Sequence, residues 1–514
     1  GAHSSATSPY DPFVEEQWET KRDFARDGAA RAARLLEEGR ERLASALPQA
    51  GGTEVVVLNP LAFERTDLVR AEVPRAALRG ASGAKVIDLA SGEESPAQLS
   101  DTIAGDAVPI EFVAKGVPPV GWRIYRVEPA PAAPDAATLG EGTIENGRWR
   151  VVLDRKTGAI ASATDLTAGR EWRAPDTPHL LGETIWVSGG EGTRAVWQDA
   201  PRPPAFEFHR PGFERFLEPR KGPVSCTVRS FAKARRLPRI VLSVTLYRDL
   251  PRLDLSVELT KEETLEKESV LVAFPFSPNG TDRSRLAEPL GVLDPGSGLL
   301  PGACVDWFAA QEFVRFAGAR SGLTWTSLDA PLLFLDGMHV GEWRSVGKFA
   351  PRPDGLVSWA LNNYWATNYR ASQGGEFVFR YSISADGGGG GGWEEDAAAL
   401  RSGRAALTPL EAVVRTGPPT PGAARSPVGC FLAVEPAAVF LNALKFAEDG
   451  GGLVARLRNL SDRPLEARLR LPRSAGRRLF ASDLVESRGE ALARDGEAWV
   501  VPVRARGFAT VRIE

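Results

Sequence analysis

Ile240-Val241-Leu242-Ser243-Val244-Thr245-Leu246-Tyr247, then Arg248-Asp249-Leu250-Pro251-Arg252, then Leu253-Asp254-Leu255-Ser256-Val257-Glu258-Leu259 reads as strand, turn, strand. Both runs are short, rich in β-branched and aliphatic side chains, and bounded by turn residues. The texture extends outward. Trp149–Leu153 and Ala159–Ala163 flank the hairpin signal Lys156-Thr157-Gly158, and Val270–Phe274 and Phe377–Ile383 follow. Asn146-Gly147, Asn279-Gly280, Asp336-Gly337 and Asp354-Gly355 mark tight turns. Residues 139–415 are therefore expected to form one large antiparallel sandwich. Upstream, Val55–Leu58, Leu68–Val73, Lys85–Leu89 and Trp122–Val127 predict a small β-sandwich over 51–135, followed by a Pro/Ala linker at Pro129–Pro134. Downstream, Gly387–Gly392 predicts a flexible loop and Thr416–Pro427 a linker. Val454–Arg458, Leu465–Leu471 and Trp499–Val503 then predict a C-terminal β-sandwich over 429–514.

Residues 11–47 are the exception. Asp11 is a good N-cap and Pro12 fits the first helical position. Val14, Trp18, Ala25, Ala29, Ala32 and Leu36 recur at helical spacing, Leu43 and Leu47 extend the stripe, and Pro48 and Gly51-Gly52 end it. A lone helix cannot bury such a stripe, so residues 1–50 are expected to be the remnant of a helix bundle, partly exposed. The fold class is mainly β: an N-terminal long helix followed by β-sandwich domains.

Hydrophobic residues make up 43% of the 514 and charged residues 25%, the ordinary globular range. Sixty-three basic against 66 acidic side chains leave a net charge of −3, which argues against nucleic acid or an anionic membrane as partner. No apolar run reaches the ~18–20 residues of a transmembrane helix. Cys226, Cys304 and Cys430 are odd in number and far apart, which favours free thiols and leans toward a reducing cytoplasm. His3, His179, His209 and His339 stand alone, so no self-contained zinc site is expected. The only methionine is Met338 and the chain opens Gly1-Ala2-His3, from which a missing N-terminal segment is expected, any signal peptide with it.

No Gly-rich phosphate loop and no Gly-x-Ser-x-Gly elbow occurs. The acidic run Glu262, Glu263, Glu266 and Glu268 reads as a solvated edge. One stretch is chemically unusual: Trp359-Ala360-Leu361-Asn362-Asn363-Tyr364-Trp365-Ala366-Thr367-Asn368-Tyr369 packs four aromatics and three asparagines together. Sugar rings stack on aromatic faces, and Asn both donates and accepts to hydroxyls. Asn362, Asn363, Trp365 and Asn368 are thus candidate saccharide-binding residues; aromatics in a core with asparagines at turns is the alternative. Asp306-Trp307 and Asp329 are weaker candidates of the same kind.

These stretches, with others in order, carry a resemblance. They are Val55-Val56-Val57-Leu58-Asn59-Pro60 with Glu64-Arg65-Thr66-Asp67, and Ile144-Glu145-Asn146-Gly147. Next come Leu250-Pro251-Arg252, Ala273-Phe274-Pro275-Phe276, Leu300-Pro301-Gly302 and Asp329-Ala330-Pro331-Leu332. Asn362-Asn363-Tyr364-Trp365 with Thr367-Asn368-Tyr369 and Gln373 follows, then Leu453–Asn459 with Ser461-Asp462-Arg463-Pro464. Their succession resembles the C-terminal two-thirds of a glycoside hydrolase family 38 α-mannosidase.

The resemblance implies an N-terminal α/β catalytic barrel, a three-helix bundle, and β-sandwiches including a large mutarotase-like supersandwich. It also implies retaining exo-hydrolysis of α-mannosides by an Asp nucleophile and a carboxylic acid/base, a geometry that sets the carboxyls about 5–5.5 Å apart. A zinc ion held by two His and two Asp would bind vicinal hydroxyls of the terminal mannose. On this alignment Gly1-Ala2 matches the end of a Glu-His-Thr-Trp-Gly-Ala motif, so the barrel precedes the chain and His3 is not a ligand. No catalytic residue and no metal residue carries over, and zinc is expected only in the complete enzyme, with an α-mannoside or oligosaccharide as substrate. Two other readings compete: a stand-alone carbohydrate-binding β-sandwich protein, and a partner chain completing a separate barrel.

Overall fold

The computed structural model describes residues 12–100, 105–189, 206–277, 281–318, 321–340, 344, 348–364, 372–387, 392–421, 426–472 and 476–514. The chain is mainly β and divides into two compact units, one built on Asp135–Lys221 and Ser225–Gly390, the other on Glu37–Pro134 and Gly391–Glu514.

In the first unit the strand Arg252–Lys261 shows why these residues form a sheet. Leu253, Leu255, Val257 and Leu259 are buried while Asp254, Ser256 and Glu258 face the other way, the two-residue period of a strand. Leu237–Tyr247 pairs on one side of it and Gly375–Asp386 on the other, in the middle of a nine-stranded antiparallel sheet. The buried row meets Trp186, Val270 and Val272 of a six-stranded sheet. That sheet runs in the order Phe206–His209, Glu183–Gly189, Glu268–Ala273, Val357–Asn362, Leu332–Phe334, Phe308–Ala309. A five-stranded sheet adds Ile144, Trp149 and Val151 to the same core. Its Trp149–Leu153 and Ile160–Asp165 strands pair across the expected hairpin, where the Asp154 carboxylate accepts the Lys156 and Thr157 amides at 2.9 and 2.7 Å. The six-stranded sheet is apolar on its second face too. Ile185, Val187, Leu271, Phe334, Val357 and Trp359 cluster there with Trp307, Met338 and Tyr364.

In the second unit the strand Glu411–Gly417 pairs with Gly52–Asn59, Val414 standing opposite Val55. The expected limit of the large sandwich at 415, and a linker from Thr416, are therefore corrected. The large sandwich's last strand ends at Asp386, and after the helix Trp393–Leu407 the chain returns to the first small sandwich. The physical reason is apolar: Ala412 and Val414 pack on the core of Val55, Val57, Phe112 and Tyr125. A separate sandwich of four- and five-stranded sheets ends the chain around Leu457, Leu469, Trp499 and Val511. Both small sandwiches use the same device where a strand ends in asparagine. Asn59 Nδ2 donates to the Phe63, Val117 and Pro118 carbonyls at 2.8, 3.2 and 2.9 Å. Asn459 Nδ2 likewise donates to the carbonyls of Arg463, Val503 and Arg504 at 2.8, 3.4 and 3.0 Å.

The long helix spans Pro12–Ser45; Asp11 lies outside the described residues. Phe24 is 73% exposed and Leu35 64%, while Ala44 and Leu47 are buried against Val56, Trp122 and Ile124. No helix among the described residues is long and apolar enough to cross a membrane.

Candidate functional site

The aromatic and asparagine-rich stretch begins on a strand and leaves from its end. Val357–Asn362 pairs with Glu268–Ala273, Asn362 opposite Ser269. Trp359 is buried, donates from Nε1 to Ser269 Oγ at 2.9 Å, stacks on Phe334 at 5.0 Å and meets Trp307 edge-on at 6.0 Å. Its indole belongs to the apolar cluster. Asn362 is half-buried and its Oδ1 accepts the Tyr364 amide at 2.9 Å, turning the chain. Asn363 is only 2% exposed. Its Oδ1 accepts the Glu268 amide at 2.6 Å, and its Nδ2 donates to the Glu266 carbonyl at 2.8 Å. The Asn363 amide is thus committed to the neighbouring backbone, which corrects its reading as a sugar ligand. Trp365 and Asn368 lie outside the described residues. Of the four candidates, Asn362 and Asn363 stand side by side at one sheet end.

The partner of Asn363 is the acidic run. Glu262 and Glu266 face Arg236 at 3.5 Å each. Glu268 is not a solvated edge: it is 2% exposed, and its Oε2 accepts the Trp186 indole N–H at 2.6 Å. Its Oε1 pairs with the equally buried Lys261 ammonium, which also donates to the Glu262 carbonyl at 3.1 Å. Burial pushes the Glu268 carboxyl above its ordinary range, and the Lys261 and Trp186 hydrogen bonds pull it partly back. Tyr364 is buried against Phe206 with ring centres 5.4 Å apart, and its hydroxyl has no hydrogen-bond partner among the described residues. Burial, with the Glu268 charge, raises its pKa. Reading the run by charge alone missed Glu268 and Lys261. The one available signal was that Glu268 opens the apolar run Ser269–Phe276.

The weaker candidates are structural clamps. Asp306 accepts the Arg344 Nε and backbone amide at 2.5 and 2.9 Å, and Asp336 takes the other side of the same guanidinium at 2.8 and 3.1 Å. Asp329 holds Arg380 in a fork at 2.7 and 3.0 Å. Two described concavities, of about 430 and 580 Å³, are lined by residues such as Arg155 and Phe216, or Asn146 and Lys221. Neither is lined by the asparagine-rich stretch.

The whole arrangement has counterparts. The fold is similar to that of an α-mannosidase. The α-mannosidase from Enterococcus faecalis V583 superposes over 93% of this chain and 58% of its own, with TM-score 0.67 and 15% identity. A glycosyl hydrolase family 38 protein from Enterococcus faecalis matches over 93% and 60%, with TM-score 0.67 and 16% identity. This chain therefore spans about three-fifths of each of those chains. At such identities the likeness concerns the fold. No protein-family model and no curated protein matches the sequence.

Proposed function

We propose that this chain is the β-sandwich region of a retaining, zinc-dependent exo-α-mannosidase that hydrolyses terminal α-mannosides, and that it does not hydrolyse them by itself. The observation that carries the reading is the fold likeness to an α-mannosidase across 93% of the chain. A cytoplasmic setting belongs to the proposal and is supported by three free cysteines.

The groups described here do not fit a catalytic metal. Among the described residues no three His, Cys, Asp or Glu side chains are grouped to hold one. His179 faces Glu183 at 3.6 Å, His209 faces Ser188 at 3.1 Å and His339 faces Asp336 at 3.2 Å. The buried carboxylates of Glu183, Glu268 and Asp306 are tied to Arg210, Lys261 and Arg344. In this reading the chain's own contribution is recognition: Asn362, Trp365 and Asn368 offer hydroxyl partners and a stacking face to the terminal sugar.

The test uses the 514-residue chain with 4-nitrophenyl α-D-mannopyranoside and added zinc. No nitrophenolate release above buffer is expected, together with measurable binding of methyl α-mannoside in preference to methyl β-galactoside. Turnover would overturn the division of labour, and binding without preference would overturn the mannoside reading.

A further inference from the structure

The outer face of the nine-stranded sheet carries a patch of positive charge that is short of counterions. In Ser225–Ala234, Leu237–Tyr247 and Arg252–Lys261, Val228, Ile240, Leu242, Val257 and Leu259 point into the core. The alternation of a strand therefore puts Arg229, Arg239, Ser243, Ser256 and Glu258 on the opposite face. Register fixes their neighbours. Arg229 stands opposite Ser243, and Ser243 opposite Ser256. Arg220, on the edge strand Gly212–Arg220, stands opposite Thr227, two residues from Arg229 and on the same face.

Arg229 is the unusual member. It is half-buried, yet among the described residues no carboxylate, carbonyl or hydroxyl accepts from its guanidinium, and its Nε is closed to water without an acceptor. Burial lowers its pKa from the ordinary arginine value, and the Arg220 and Arg239 charges push the same way. The carboxylate whose charge pulls it back is that of Glu258, which already accepts from Arg239 at 2.8 Å. Arg220 is exposed, and no carboxylate pairs with it among the described residues. Three guanidiniums thus share one carboxylate. Other charges on this face are matched one to one: Asp254 accepts from Arg252 at 3.0 Å, and Arg380 is held by Asp329 at 2.7 Å. A guanidinium stripped of water and left without a counterion costs free energy that an anion recovers.

We propose that Arg229 and Arg220, flanked by Arg239 and the Ser243 hydroxyl, form a binding site for a phosphate dianion, free or as the monoester of a sugar. Three positive charges against one carboxylate leave two to be met, which is the charge of the dianion. Planar guanidinium donors suit tetrahedral oxyanions, and the serine opposite Arg229 adds a hydroxyl donor. The site uses none of the residues assigned to mannoside recognition and stands apart from that reading.

Inorganic phosphate and glucose 6-phosphate are titrated into the 514-residue chain at constant ionic strength, with chloride as the control anion. Calorimetric binding and the thermal midpoint are read for each. Saturable binding at millimolar concentration, with a rise in the midpoint, is expected from phosphate and not from chloride. Arg229→Gln and Arg220→Gln should each weaken binding about tenfold or more, the return of one charge-assisted hydrogen bond. The rise in midpoint should fade with it. Arg229→Lys, which keeps the charge, should retain part of the affinity. Arg220 is exposed, so Arg220→Gln folds whatever Arg229→Gln does. Arg155→Gln is the control, because that arginine is paired with Glu141 at 2.7 Å and should not matter. Glucose 6-phosphate binding tighter than inorganic phosphate assigns the site to a sugar phosphate, and equal or weaker binding assigns it to the free anion. Absence of phosphate binding by the parent chain overturns the site. So does an affinity that Arg229→Gln and Arg220→Gln leave untouched, or that Arg155→Gln lowers as much as they do.

Discussion

Glu183 has no exposed side-chain surface, yet it stays ionised because the Arg210 guanidinium and the Leu180 amide donate to it and the His179 ring lies beside it. Arg210 donates in a fork at 2.5 and 2.8 Å, the Leu180 amide donates at 2.8 Å, and His179 lies at 3.6 Å. Burial works to raise its pKa, but the His179, Arg210 and Leu180 interactions outweigh burial and hold it below the ordinary 4.5. A carboxyl depressed in the folded state adds stability above its unfolded pKa, and that stability is lost as pH falls through the folded value. The thermal midpoint of the chain should therefore drop as pH is lowered below about 4.5. Glu183→Gln should lower the midpoint at pH 7 and flatten that acid limb in calorimetry; a limb of unchanged slope would acquit Glu183. Asn363 is the counterpart among neutral groups. Its amide looks from sequence like a ligand for hydroxyls, and the structure uses the same donor and acceptor on Glu266 and Glu268. Composition shows what a side chain can bond, not which partner reaches it first.

At the scale of elements, the end of the long helix depends on a residue remote in sequence. Arg415 donates to the carbonyls of Ala44 and Leu47 at 2.8 and 2.9 Å and pairs with the buried Glu54 at 2.8 Å. Glu54 in turn accepts the amides of Ala50 and Gly51 at 2.6 and 3.0 Å. Arg415→Met strands that carboxylate and should cost about 3–5 kcal/mol in urea unfolding. Phe24→Ser, on the exposed part of the same helix, should stay within about 0.5 kcal/mol. Equal costs would contradict this account. The strands themselves were legible: Leu253–Leu259 lies within Arg252–Lys261, and Phe377–Ile383 within Gly375–Asp386, because apolar runs mark a buried face locally. The pairing of Glu411–Gly417 with Gly52–Asn59 was not, because register between such distant segments leaves no local signature. Glu268 was hidden for a related reason. Four acidic residues close together suggest solvent, and only the crossover geometry turns one of them inward.

At the scale of the molecule, the large sandwich is an insertion within the first small one. The chain leaves that sandwich after Gly121–Ala130 and re-enters it at Glu411–Gly417. A chain ended at Asp386 would keep every strand of the large sandwich and lose the strand that covers one edge of Gly52–Asn59. Open edges of Val-rich strands pair with other chains. The shortened chain should therefore elute as oligomers on size exclusion where the 514-residue chain does not, and a monodisperse monomer would refute the argument.

The same insertion bears on synthesis. A ribosome adding about 5–20 residues per second makes Glu411–Gly417 on the order of tens of seconds after Gly52–Asn59. Through that interval Val55-Val56-Val57 waits at an unfinished edge while the sandwich between them folds. The order of translation thus makes a strand synthesised long after Gly52–Asn59 the step that covers its open edge.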